Sequence, residues 1–241
     1  GCFTREPDRD PYRNTSANLR GGWQVLPGLA AQAFMQRAEG RAHYDGSFVN
    51  ESRTVNQVAG VEVEGQPAER WRTRLVAGRS WDDNESFRDG ASRSVFDSRR
   101  DTLTWQNDLD FGARGSLVLG LDWLQDRVAS TTDYDRGSRW NRAAFAQYGM
   151  ALGRHELSVS ARLDDNQQFG SHATGSLAWG YGFTGGLRAY ASAGTAFKAP
   201  NFNDLYYPGF SNPRLNPEEA SSVEVGLRGG DAAARWSIAA F

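Results

Sequence analysis

The chain has 241 residues, a formal net charge of −2, one cysteine, 27 glycines, eight tryptophans and 12% aromatic residues. A charge this small, with no basic run longer than Arg99-Arg100, excludes the usual signature of a nucleic-acid partner. The single Cys2 allows no internal disulfide, and no apolar run reaches the roughly 18 residues of a transmembrane helix, although neither test excludes a membrane β-barrel.

After a charged segment at residues 1–13, the sequence alternates with a period of two residues, which predicts β-strands. In chain order these strands lie at about 14–24, 29–38, 55–64, 71–81, 103–111, 117–125, 139–151, 156–163, 176–183, 187–196, 221–228 and around Trp236 and Ile238. The pattern therefore predicts an all-β, antiparallel up-and-down meander of about 12 strands, with no helix longer than about two turns.

The connections are predicted to alternate in length. Short Pro/Gly turns separate some strands, whereas the polar segments 39–52, 82–93, 126–138, 164–170 and 197–217 are read as long loops. Short connections at one end of the sheet and long ones at the other are typical of outer-membrane barrels. A soluble β-sandwich binding module is the alternative, and it would mix the two lengths.

The two parities of the strands predict two chemically different faces. One is expected to face lipid, and it carries Leu117, Leu119, Leu121, Trp123, Leu157, Val159, Ala161, Leu177, Trp179 and Tyr181. The other is expected to line a wide lumen, and it carries Arg72, Arg74, Glu156, Arg162, Glu224 and Arg228. Ordinary core packing of the tryptophans is the alternative, but a core would not place so many charges opposite them.

Residues 194–219 stand apart, because four prolines, two tyrosines and three phenylalanines interrupt the alternation. Prolines at this density exclude a long helix or a central strand and predict a large ordered loop. The stretches GTAFKAPN (194–201), LY (205–206) and NPRLNPE (212–218) resemble the barrel motif of TonB-dependent outer-membrane receptors. The stretch RLDDNQQFGSH (162–172) is similar to the cobalamin branch of that family. The motif positions are Asp164, Asp165, Asn166, Phe169, Gly170, His172, Lys198, Pro200, Asn201, Leu205, Asn212, Pro213, Pro217 and Glu218.

This resemblance implies a receptor that takes up cobalamin or another large, scarce ligand through a plugged barrel of about 22 strands in the outer membrane. It implies that residues 1–241 are a middle section of the barrel domain, with the plug and the C-terminal strands missing, and that the TonB complex is reached only through that plug. We expect Tyr206, Tyr207 and Phe210 to lie near the ligand entrance. The rival interpretation is that the motif, including Leu205 and Tyr206, braces the barrel wall against the plug. A siderophore receptor is the alternative within the family.

The resemblance also suggests a calcium-binding site, because cobalamin receptors hold calcium in aspartate-rich loops and Asp45 matches one such position. The acids expected downstream are replaced by Asn50, Glu51 and Ser52, so a solvated turn is the preferred interpretation and no cofactor is predicted. An outer-membrane enzyme is the remaining alternative. No nucleophile with a nearby base is recognisable, and the adjacent acids Asp164 and Asp165 would point apart in a strand, so no catalytic residue is predicted.

Overall fold

The polypeptide runs as an antiparallel meander. The computed structural model describes residues 9–231 and 233–241, so Cys2 lies outside the described residues. Twelve strands follow one another in a sheet in chain order, which confirms the predicted all-β meander and replaces the two-sheet sandwich. The strands are β1 Tyr12–Leu26, β2 Leu29–His43, β3 Glu51–Ala68, β4 Trp71–Arg88, β5 Ala91–Asp110, β6 Ser116–Ser130, β7 Ser138–Leu152, β8 His155–Asn166, β9 Gly170–Gly182, β10 Arg188–Lys198, β11 Glu218–Gly230 and β12 Arg235–Ala240.

Helical structure is slight in the described residues. One α-helix, α1, spans Phe202–Tyr206 inside the proline-rich loop, and short 3-10 turns span Gly112–Arg114 and Thr184–Gly186. This agrees with the prediction that no helix exceeds about two turns. No helix in the described part of the chain is long and apolar enough to cross a membrane.

The strands are longer than predicted at one end of the sheet. The loop predicted at 82–93 is wrong, because β4 and β5 continue to the two-residue turn Asp89-Gly90, where both residues have positive φ (51° and 77°). The loops predicted at 39–52, 126–138 and 164–170 shrink in the same way to 44–50, 131–137 and 167–169. At this end both faces of the strands carry polar residues, so the alternation disappears although the strand pairing continues. We call this the loop end of the sheet, and the opposite end the turn end.

The register confirms that the two predicted sets of side chains lie on opposite faces. Directly paired residues share a face. One row joins Leu117, Tyr148, Val159 and Leu177, and another joins Arg74, Gln106, Gly120, Phe145 and Arg162. All ten residues predicted to face outward fall on the first face and all six predicted to face inward fall on the second. We call these the apolar face and the polar face.

The sheet curves around its polar face. A cavity of about 690 Å³ is lined both by Gln36 of β2 and by Phe202 of α1. The same cavity is lined by Arg139 of β7, which lies five strands along the sheet from β2, and this indicates that the sheet curves. The apolar face is therefore convex, and its large side chains are exposed, such as Leu121 at 52% and Leu177 at 55%. An apolar surface of this extent needs a non-aqueous neighbour.

Candidate functional site

Helix α1 is fixed by its own sequence at the loop end. Pro200 favours an extended residue before the helix, and Asn201 caps it. The Asn201 side chain accepts a hydrogen bond from the Asp204 backbone N–H at 2.9 Å, and the Asp204 carboxylate accepts one from the Asn201 N–H at 3.3 Å. This reciprocal capping box satisfies two donors at the start of a helix too short to be stable by propensity alone.

The apolar side of α1 forms the main buried cluster at this end of the sheet. Leu205 is fully buried, and Phe202 and Tyr206 are 8% and 9% exposed. They pack against Val128 and Phe169, and also against Tyr134. This cluster holds the loop, which would otherwise be solvated, against the polar face of the sheet.

Arg139 connects the loop to the strands, and nothing in the sequence marks it. Its guanidinium donates a hydrogen bond to the Pro200 carbonyl at 2.9 Å and lies 5.2 Å from the centre of the Phe202 ring and 5.8 Å from that of Phe169. The residue is only 9% exposed. Asp126 lies directly opposite Arg139 in the register, but its carboxylate is paired with Arg100, whose Nε and Nη2 atoms donate to it at 2.6 and 3.0 Å. Arg139 thus joins loop and wall through a carbonyl and two aromatic rings.

The stretch 162–172 builds the neighbouring β8–β9 turn. Asp164 accepts hydrogen bonds from Asn141 at 2.8 Å and from Arg162 at 2.9 Å. Asn166 accepts from the backbone N–H groups of Gln168 at 3.1 Å and Phe169 at 3.2 Å, and Gly170 follows with a φ of 74°. These polar side chains are buried and paired, so they determine the shape of the turn.

The two motif stretches contact each other. The Gln168 side chain donates a hydrogen bond to the Tyr206 hydroxyl at 2.7 Å, and the ring of His172 stacks on Phe197 with centres 3.9 Å apart. Together with Phe169 in the buried cluster, these contacts make one structural unit from segments that are distant in sequence. We call Arg139, Gln168, Phe169, Phe202, Leu205 and Tyr206 the anchor cluster.

The three predicted ligand contacts differ in position. Tyr206 belongs to the anchor cluster, whereas Tyr207 is 41% exposed and Phe210 is 91% exposed. The Tyr207 ring lies 6.3 Å from Tyr134 and 6.2 Å from Phe210. The Tyr134 hydroxyl donates to the Asn203 side chain at 2.6 Å, and burial raises the pKa of this tyrosine. An aromatic surface is therefore available at the loop end, and a ligand role for it stays a prediction.

The remaining motif residues are more exposed. Lys198 and Glu218 face each other across β10 and β11 and form an ion pair at 3.2 Å, with both side chains 71% exposed. Asp165 pairs with Arg142 at 3.1 Å. Asn212 shapes the end of the loop, because it accepts from the Arg214 N–H at 3.0 Å and its own N–H donates to the Asp204 carbonyl at 2.8 Å. Pro213 lies between Asn212 and Arg214, and Pro217 follows three residues after Arg214.

Asp45 is the position that the resemblance associates with calcium. This residue lies in the loop 44–50, and the nearby Glu51 is 4% exposed and paired with Arg41. Among the described residues, no group of three or more His, Cys, Asp or Glu side chains is placed to hold a metal. Calcium prefers several carboxylate and carbonyl oxygens, and the absence of calcium at Asp45 stays a prediction.

Comparison with known proteins places this architecture in a family. A family model described as "TonB dependent receptor-like, beta-barrel" matches residues 3–241. The vitamin B12 transporter BtuB of Photobacterium profundum is 32% identical over 244 residues, covering 98% of this chain and 39% of the relative.

Two solved structures from Pseudomonas aeruginosa show the same fold. A mutant of the ferric enterobactin receptor PfeA aligns with a TM-score of 0.84 at 15% identity, covering 98% of this chain and 43% of that one. The siderophore receptor PirA aligns with a TM-score of 0.81 at 18% identity, covering 95% and 45%.

The chain belongs to the TonB-dependent receptor β-barrel family. This is a family of outer-membrane transport receptors rather than enzymes, and the apolar convex face of the sheet fits a lipid environment. The chain spans 39% of the length of the BtuB relative that it matches.

Proposed function

We propose that this member of the TonB-dependent receptor family forms part of the barrel wall of a receptor that takes up cobalamin across the outer membrane. The observation that carries the proposal is the 32% identity to a vitamin B12 transporter across 98% of the chain. The stretch 162–172, which resembles the cobalamin branch, adds to it, since Asp164 and Asn166 are buried at the β8–β9 turn and Gln168 contacts Tyr206 of the proline-rich loop.

The loop end supplies a suitable chemistry for such a ligand. Tyr207 and Phe210 expose aromatic surface on the loop whose other side is fixed by the anchor cluster. Rigid aromatic side chains give a large contact area at a small entropy cost, which suits a bulky, partly apolar ligand such as a corrinoid. The adjacent cavity on the polar face is lined by hydrogen-bonding groups, including Asn56, Ser80 and Asn203.

The proposal assigns residues 1–241 to the barrel domain, and it assigns the plug, the TonB contact and further strands to other parts of the protein. The relative that the chain matches is more than twice as long as the aligned region, which leaves room for these parts. In this arrangement β1 and β12 each pair with a further strand, because an unpaired sheet edge in a membrane leaves backbone groups unsatisfied.

A siderophore receptor is the second candidate, and it is favoured by the names of the two solved structures. Those structures are at most 18% identical to this chain and show the fold alone. Loop residues such as Tyr207 and Phe210 lie outside the shared motif, so the fold does not determine which ligand they contact.

Equilibrium binding to the purified full-length receptor separates the two candidates. Isothermal titration with cyanocobalamin and, separately, with ferric enterobactin should give saturable binding of the corrinoid and none of the siderophore at the same concentrations. Saturable binding of the siderophore without cobalamin binding would replace the first candidate by the second.

A further inference from the structure

Basic residues collect on the apolar face of the sheet, just beyond the point where its apolar band ends. On β4, β5 and β6 the band ends at the paired residues Ala77, Leu103 and Trp123. The next row toward the loop end is Arg79, Asp101 and Gln125, and the row after it is Trp81, Arg99 and Arg127. We call Arg79, Arg99 and Arg127 the basic patch; it lies on three neighbouring strands.

The charges of this patch are not balanced within the described chain. Asp101 accepts hydrogen bonds from both Arg79 and Arg127, the latter at 2.5 Å, so one carboxylate serves two guanidinium groups. Arg99 is exposed and takes part in no ion pair or hydrogen bond between described residues, and it lies directly opposite Arg127 in the register. Like charges directly opposite each other in a sheet are destabilising. Three positive charges therefore share one negative charge.

The nearest acids beyond the patch are not paired with it in the described residues. Asp83 and Asp97 face each other one row farther from the apolar band, and neither forms an ion pair with the basic patch. Arg99, which has no ion-pair partner among the described residues, thus lies between the apolar band and this acidic pair.

The position of the patch indicates which kind of molecule binds it. The Arg79 guanidinium lies 5.8 Å from the centre of the Trp81 ring, and tryptophan is enriched where a membrane meets water. Guanidinium groups bind phosphate in a two-bond geometry. An anion that binds here would have the apolar band directly beneath it, toward the turn end.

We infer that the basic patch binds the phosphate-bearing headgroup of a membrane lipid whose acyl chains lie along the apolar band of β4–β6. The inference rests on the proposed placement of the apolar face against lipid, but not on the identity of the transported ligand. A lipid is favoured over a soluble phosphate because the register places the patch on the same side of the sheet as the apolar band, which it continues.

The sharpest test uses Arg99→Gln in the full-length receptor, because this change breaks no ion pair of the described chain and relieves the repulsion with Arg127. Arg228→Gln is the matched control, since Arg228 is also exposed and outside every ion pair of the described residues, but lies on the polar face. The receptor is purified in detergent with added phosphatidic acid or phosphatidylcholine of identical chains, and retained lipid is counted by native mass spectrometry.

Wild type and Arg228→Gln should retain phosphatidic acid in preference to phosphatidylcholine, and Arg99→Gln should weaken that preference about fivefold, which is the usual effect of one basic residue at a membrane surface. Equal retention by Arg99→Gln and wild type would overturn the inference, as would the same loss in Arg228→Gln. Displacement of the lipid by inorganic phosphate at equal concentration would assign the patch to soluble anions instead. Cobalamin binding is measured on the same samples, so failure of the proposed function would be seen separately.

Discussion

At the scale of single residues, two positions of the same motif should contribute very differently to stability. Leu205 is fully buried, so Leu205→Ala should lower the free energy of local loop opening by about 2–5 kcal/mol. Lys198 forms an exposed ion pair with Glu218, so Lys198→Ala should lower it by only about 0–1 kcal/mol. Hydrogen exchange in the full-length receptor should show the difference at the Tyr207 and Asn212 amides, which donate within the loop. Equal protection in the two variants would mean that the anchor cluster does not hold the loop.

The exposed aromatic pair carries the prediction about the ligand. Replacing Tyr207 and Phe210 together with serine should weaken cobalamin binding by about 1–3 kcal/mol, as the loss of aromatic anchors does at other interfaces. Barrel assembly should not change, because Phe210 is 91% exposed and both residues lie outside the anchor cluster. Phe111→Ser, an exposed aromatic at the turn end, is the matched control for lost surface. An unchanged affinity in the double variant would leave the loop as a scaffold.

At the scale of elements, the sequence allowed the strand order and the faces to be predicted because alternation determines which side chains share a face. It did not allow the strand lengths to be predicted. Segment 82–93 is polar on both parities, which is typical of a loop. Strands beyond the apolar band carry polar residues on both faces because both faces meet water, and here the backbone pairing continues to Asp89-Gly90. The spacing of Asn201 and Asp204 in the sequence is typical of a helix cap and could have predicted α1. The role of Arg139 could not be predicted, since its partners are distant in sequence.

The opposite faces of β6 provide a matched test of the membrane placement. Leu119 lies on the apolar face and its neighbour Val118 on the polar face, and both are partly buried. Leu119→Arg should destabilise the full-length barrel by about 2–4 kcal/mol in lipid, whereas Val118→Arg should cost far less, because Val118 is paired directly with Asp108. Folding into lipid vesicles at increasing urea concentration measures both. Equal costs for the two variants would contradict a lipid-facing convex surface.

At the scale of the whole molecule, the described chain is a curved sheet with little apolar core. Its buried apolar residues are few in the described part of the chain, namely Val55, Ala143, Phe202, Leu205 and Tyr206, and its large apolar side chains cover the convex face. A soluble domain of this size would bury most of its apolar surface in a core. In our proposal, lipid on the convex face, a plug and further strands stabilise this sheet.

Uptake by cells tests the central claim most directly. Cells that lack their own cobalamin receptor are given the full-length gene, and accumulation of radiolabelled cyanocobalamin is followed with and without functional TonB. The account predicts accumulation that requires both the receptor and TonB, with ferric enterobactin as a competitor having no effect. Receptor-dependent accumulation that persists without TonB, or accumulation of the siderophore in place of cobalamin, would contradict it.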